Sequence, residues 1–248
     1  MISEFALFLF TLTGGTAAGA YICAALFPER EQKGAARLAL PICALVLLAI
    51  GGIALLLHLG HPERMFFAFS KPAAGIAAEG YATVFFGAMV AIDFLLRLVK
   101  SGSKKVVRIL CAVGGLWVSC AMGYAYFSYT NVAVWHAPAT WLLFLLGNIA
   151  SGSALYALWV EGGLTTTPFN RGFLVAQALA LVAYCAEAAT LASNGEPYGL
   201  ALAGTVAGPI SCLALGAVAR KRALPTAVFT VLAFAGLALV RYAFYAVV

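Results

Sequence analysis

The stretch LALPICALVLLAIGGIALLLHL, residues 38–59, decides the fold class. It carries no charged residue before its histidine, and as a helix it would reach about 33 Å, the hydrocarbon thickness of a bilayer. It runs into His58-Leu59-Gly60-His61-Pro62-Glu63-Arg64, which gathers two imidazoles, a carboxylate and a guanidinium in a chain with only three histidines. A membrane protein rarely places so many ionisable groups at a helix end unless they bind something.

Outward from this stretch, apolar runs of similar length recur at about 5–27, 76–98, 106–127, 137–160, 171–192, 198–219 and 224–247. With 38–59 they predict an all-α polytopic integral membrane protein, a single domain of eight transmembrane helices over residues 1–248. Hydrophobic residues make up 64% of the chain and charged residues 10%, more apolar surface than a soluble fold can hide. The continuous runs lack the period-two alternation of barrel strands. The start, Met1-Ile2-Ser3-Glu4, is acidic, and the run after it is too long for the core of a signal peptide, so it reads as a retained first span.

Several features read as packing. The six cysteines, Cys23, Cys43, Cys111, Cys120, Cys185 and Cys212, all fall inside apolar runs without a C-x-x-C pair, as small core hydrophobes do. Gly15-x-x-x-Gly19 suits close helix contact. Pro41, Pro209 and Pro225 fall near span ends or invite kinks. Trp135, Trp141 and Trp159 fit interfacial belts, and Asn148, Ser151 and Ser153 fit interhelical hydrogen bonds.

The net charge of +6 reports orientation rather than a nucleic-acid footprint. Breaks after the first, third, fifth and seventh spans hold twelve Lys and Arg, and breaks after the second, fourth and sixth hold two, Arg64 and Lys71. The rich side is then cytoplasmic, so both termini and the His58–Arg64 segment face outward. The remaining ionisable groups can be placed by depth. Glu79 opens the third span at the outer face, Glu187 lies roughly 7 Å below the outer end of the sixth, and Arg241 roughly 10 Å below that of the eighth. His58, Glu79, Glu187 and Arg241 would share one outer layer, either as a site or with Glu187 and Arg241 as a tie between spans. Tyr124, Tyr126, Tyr129 and Tyr245 fit the lining of an outer pocket. Asp93 precedes Arg97 by one turn near the cytoplasmic end, an i,i+4 pair.

The three histidines sit at helix ends or in loops, so bis-histidine haem ligation inside the bilayer is not expected, nor is an iron–sulfur cluster from this cysteine spacing. A lipid-soluble quinol fits better. Its oxidation removes two electrons and two protons, and needs a hydrogen-bond acceptor at a hydroxyl and a proton route to water. Neutral His58 suits the first task, and Glu79 the second.

At these residues the chain resembles the DmsC-type membrane-anchor subunits of the dimethyl sulfoxide reductase family. The resemblance is sharpest at His58-Leu59-Gly60-x-Pro62-x-Arg64, with Glu79 leading the next span. Weaker echoes are Phe10-Thr11 with Gly14 and Gly19, Trp135 before Pro138, Ala186-Glu187-Ala188-Ala189-Thr190 and Arg241-x-x-Phe244-Tyr245. It implies a haem-free subunit of the bacterial cytoplasmic membrane that oxidises menaquinol and passes electrons to an iron–sulfur subunit docked on the outer loop 60–75. That subunit would feed a catalytic subunit carrying a molybdenum bis-pterin cofactor. His58 and Glu79 would act on the quinol, with Gly60, Arg64, Glu187, Arg241 and Tyr245 lining its site. The similar polysulfide reductase (NrfD-type) anchors share the architecture and role. A secondary transporter would place its ionisable groups at the midplane between inverted repeats, and a purely structural anchor would tolerate loss of His58 and Glu79. The purified subunit is expected to show no Soret band of stoichiometric intensity in its visible spectrum; such a band would overturn the haem-free reading.

Overall fold

The structure, a computed structural model, describes residues 4–27, 29, 34–58, 67, 70, 75–99, 104–219 and 224–248, with His58 described by its backbone alone. Eight helices long and apolar enough to cross a membrane run through it. They are α1 (Phe5–Leu26), α2 (Ala39–His58), α3 (Gly75–Val99), α4 (Lys105–Phe127), α5 (Pro138–Tyr156), α6 (Thr167–Ser193), α7 (Gly199–Ala219) and α8 (Thr226–Tyr245). Helices are the expected solution, because in hydrocarbon each backbone polar group must find its partner within its own segment. Pro138 and Pro168 sit in the first turns of α5 and α6, where a missing N–H breaks no bond. Gly195, at φ +77°, closes α6 by letting the Glu196 N–H reach the Leu191 carbonyl at 3.0 Å. Pro209 bends α7 without ending it: the helix widens into a π turn over Val206–Ile210 and resumes at Ser211.

Lipid tails are as apolar as leucine, so helices associate here through close packing and hydrogen bonds. Glycines supply the closeness. A Cβ on Gly19 would strike the Asn148 carbonyl, and one on Gly152 would strike the backbone of Gly19, so α1 and α5 touch main chain to main chain. A second such contact joins α7 to α8, with Gly204 and Gly208 against Gly236. α1 is the central helix, packing on α2, α4 and α5. Its spanning window is 78% buried, whereas those of α2 and α3 are 28% buried and turn their other faces outward. Cys23, Cys111 and Cys212 are buried in the packing, but Cys185 is exposed on the outer face of α6.

The start of α1 and the end of α8 meet, with the Phe8 ring edge-on to Tyr242 and Tyr245. An even number of spans puts both ends on one side, and this contact defines a terminal end and a remote end of the bundle. At the remote end the expected Asp93–Arg97 pair forms, Arg97 Nε donating to Asp93 Oδ2 at 2.9 Å. It belongs to a larger network. Arg97 also donates through Nη1 and Nη2 to both oxygens of Glu29 at 2.8 Å, and through Nη1 to the Arg37 carbonyl at 2.9 Å. The Tyr21 hydroxyl donates to Asp93 at 3.0 Å. Glu29 is set in place by a backbone bridge to Val160. Helices α1 and α3, the loop at Glu29 and the turn that leads into α2 are thereby joined through one buried guanidinium.

Of the three tryptophans expected in interfacial belts, Trp141 is half-buried. Trp135 and Trp159 are buried, since each side chain is drawn into the packing. Trp135 Nε1 donates to the Phe244 carbonyl at 2.9 Å, which fastens the loop before α5 to the end of α8. Replacing Arg97 with Met would take from buried Asp93 and half-buried Glu29 the cation that they share. The expected cost is about 3–5 kcal/mol, read as a lower thermal midpoint of the detergent-purified subunit.

Candidate functional site at the terminal end of the bundle

Helix register brings α1, α3, α4, α5, α6 and α8 to one polar and aromatic cluster at the terminal end. Gly51 of α2 packs on Phe10 and Thr13 of α1, so α2 runs antiparallel to α1 and ends at His58 near the start of α1. Gly75 packs on Ala125, which aligns the first turn of α3 with the last turn of α4. Glu79, one turn into α3, is buried with its Oε1 lacking a hydrogen-bond partner, and it lies within electrostatic reach of the Tyr126 and Tyr245 hydroxyls.

Aromatic rings build the walls. Tyr126 stacks on Phe144 with centroids 5.1 Å apart, and meets Phe244, Tyr245 and Trp135 edge-on at 5.5, 5.4 and 5.3 Å. Such edge-to-face contacts fix ring orientation as well as filling space. The Tyr245 hydroxyl pairs with Thr11 Oγ1 at 3.2 Å, holding α8 to α1. Of the four tyrosines expected to line an outer pocket, Tyr126 and Tyr245 are buried in this cluster. Tyr124 is exposed because a two-residue step rotates a helical side chain to another face, and Tyr129 is exposed in the turn beyond the end of α4.

Arg241 stands one turn deeper on α8 and is fully buried. Its guanidinium lies over the Phe144 ring, 4.6 Å from the centroid, and Nη2 donates to Asn148 Oδ1. Asn148 is fixed in turn by Nδ2 donating to Ser119 Oγ at 3.0 Å. Ser151 Oγ pairs with Thr16 of α1 at 3.0 Å, as expected of an interhelical bond, whereas Ser153 bonds the Ala150 carbonyl of its own helix at 2.7 Å.

Glu187 and Arg241 share a depth but form no ion pair. Glu187 is fully buried with neither carboxyl oxygen partnered. Tyr184, one turn earlier on the same face of α6, packs beside Gly147 and Gly208 and is the α6 side chain within reach of Arg241. Asn148, Thr11, Phe144 and Tyr184 are therefore members of the cluster that residue type and depth did not single out. The spacing of Tyr184 and Glu187, three apart on one helical face, was the signal available for Tyr184. The side chain of His58 and all of Gly60, His61 and Arg64 lie outside the described residues.

The model of the DMSO reductase anchor subunit (DmsC) family matches residues 1–196. The chain belongs to that family. A relative in Escherichia coli (strain K12), the anaerobic dimethyl sulfoxide reductase chain YnfH, is 28% identical over 194 residues, which are 73% of this chain. The chain spans 65% of the length of that relative. Within this DmsC-family chain, the segment from α7 onward, with Arg241 and Tyr245, lies beyond the matched range.

A buried carboxyl without a partner destabilises a fold that an apolar side chain of similar size would fill. Glu187→Met is therefore expected to raise the thermal midpoint of the purified subunit, opposite in sign to Arg97→Met. A lowered midpoint would show that Glu187 holds the bundle together.

Proposed function

We propose that this chain is the quinol-oxidising membrane anchor of a molybdenum-dependent respiratory reductase, working at the terminal end of its bundle. The observation that carries the reading is the company of Glu79. At the terminal end of the bundle, a buried carboxyl with one unpartnered oxygen lies within electrostatic reach of two buried tyrosines inside an aromatic wall. Flat aromatic walls suit a quinone ring, and a few convergent polar groups suit its two oxygens. The family motif ending α2 at His58 falls at the same end.

In this reading His58, neutral and so able to accept, takes the proton of one quinol hydroxyl while electrons depart. Glu79 carries protons from the site toward water. Arg64 and Gly60 shape the loop that follows α2. Glu187 and Arg241 bound the site from the far side, and Tyr245 lines it. One quinol yields one quinone, two protons and two electrons. The electrons leave through an iron–sulfur subunit seated against loop 60–75, which passes them to a subunit with a molybdenum bis-pterin cofactor. The Lys and Arg bias puts this end on the outer face of the bacterial cytoplasmic membrane, with the N-terminus outside. Protons released there would stay on the side where the terminal acceptor is reduced, so this subunit would conserve no energy. The Gly19–Gly152 contact supports that release: in mid-bundle, main chain packs on main chain between the two polar ends.

The test is a complex carrying His58→Ala or His58→Arg. Quinol-driven reduction of the terminal acceptor should fall by about a hundredfold or more, the contribution of a positioned general base. Activity of the partner subunits with an artificial electron donor should stay near wild type. Undiminished quinol oxidation would remove the proposal.

A further inference from the structure

Among the described residues two guanidinium groups are buried, and the chain treats them oppositely. Arg97 donates to Asp93, to both oxygens of Glu29 and to a carbonyl, as a buried cation in a structural tie should. Arg241 is buried as deeply, yet no carboxylate lies within 4.0 Å of it among the described residues, and its Nε and Nη1 have no acceptor. Its single hydrogen bond goes to the neutral amide of Asn148. The groups within electrostatic reach are the hydroxyls of Tyr126, Tyr184 and Tyr245.

Asn148 is built to hold the guanidinium without cancelling its charge. Nδ2 is taken by Ser119 Oγ, which turns Oδ1 toward Arg241. The amide fits because residue 15 is glycine; a Cβ there would collide with it. The Phe144 ring covers one face of the guanidinium. The unpartnered donors, the Nε–H and both N–H groups of Nη1, lie on different edges of the planar guanidinium, and each can make a charge-assisted bond to an anionic oxygen.

We propose that Arg241 is an anion subsite for the deprotonated quinol and that Asn148 is its positioning residue. This rests on the quinol reading above. Quinol first gives up the proton of the oxygen that faces Arg241, along the Glu79 route to water. The resulting quinolate oxygen accepts from Nη1 of Arg241, which keeps its own protons. Loss of two electrons, one at a time, to the partner's iron–sulfur clusters and of the second proton then leaves neutral quinone. Charge-assisted bonds favour the quinolate over both the quinol and the quinone, so the guanidinium promotes the first proton loss and releases the product.

The probe is a pair of similar-sized rings, 2-hydroxy-1,4-naphthoquinone, an anion at neutral pH, and neutral 2-methyl-1,4-naphthoquinone. Their dissociation constants are measured on the complex with its partners. Asn148→Asp puts a carboxylate of the same shape against the guanidinium. It should weaken the anion by about tenfold or more and leave the neutral ring within about twofold, because the cation is neutralised while the pocket keeps its form. Arg241→Gln should give the same selective loss. Whichever variant retains the wild-type thermal midpoint carries the test. Unchanged affinity of that variant for the anion, or equal weakening of both rings, overturns the anion subsite. Failure of the neutral ring to bind the wild type would instead overturn the quinol reading.

Discussion

The backbone contact between Gly19 of α1 and Gly152 of α5 is the constraint on which the rest depends. It sets how closely the central helix approaches α5, and through Gly15 it leaves room for the Asn148 side chain. Asn148 then reaches α4 through Ser119 and α8 through Arg241. In a bilayer, where apolar burial between helices contributes little, a side chain at either glycine would separate the helices and dissolve the hydrogen bonds that the approach permits.

The two polar ends of the bundle show different energetic logic. At the remote end every strong donor of Arg97 meets an acceptor, and Tyr21 adds a bond to Asp93, so the charges are compensated where they are buried. At the terminal end Glu79, Glu187 and Arg241 all carry polar atoms without partners. A protein leaves such groups unsatisfied at a cost in stability, and functional sites are where that cost is commonly borne.

Part of this was legible from residue type and spacing. Asp93 and Arg97 pair because four residues is one helical turn, but Glu29 joins them only because a loop bridge to Val160 carries it there. Counting along the spans placed Glu187 and Arg241 at one depth. Whether they meet depends on the rotation of α6 and α8 about their axes, and Tyr184 takes the place toward Arg241 instead. Trp135 fits the composition of an interfacial belt, yet its indole is buried because the carbonyl of Phe244 offers an acceptor inside.

The sequence by itself determined that the chain spans a membrane as eight helices, because hydrocarbon admits few ways to satisfy a backbone and run lengths report them directly. It also set the family motif that begins at the last residue of α2 and the acidic residue that leads α3. The tertiary structure alone decided which ionisable groups are compensated. Depth is a one-dimensional property readable along the chain, whereas pairing depends on the face each helix turns to its neighbours. Close glycine packing, not hydropathy, selects that face.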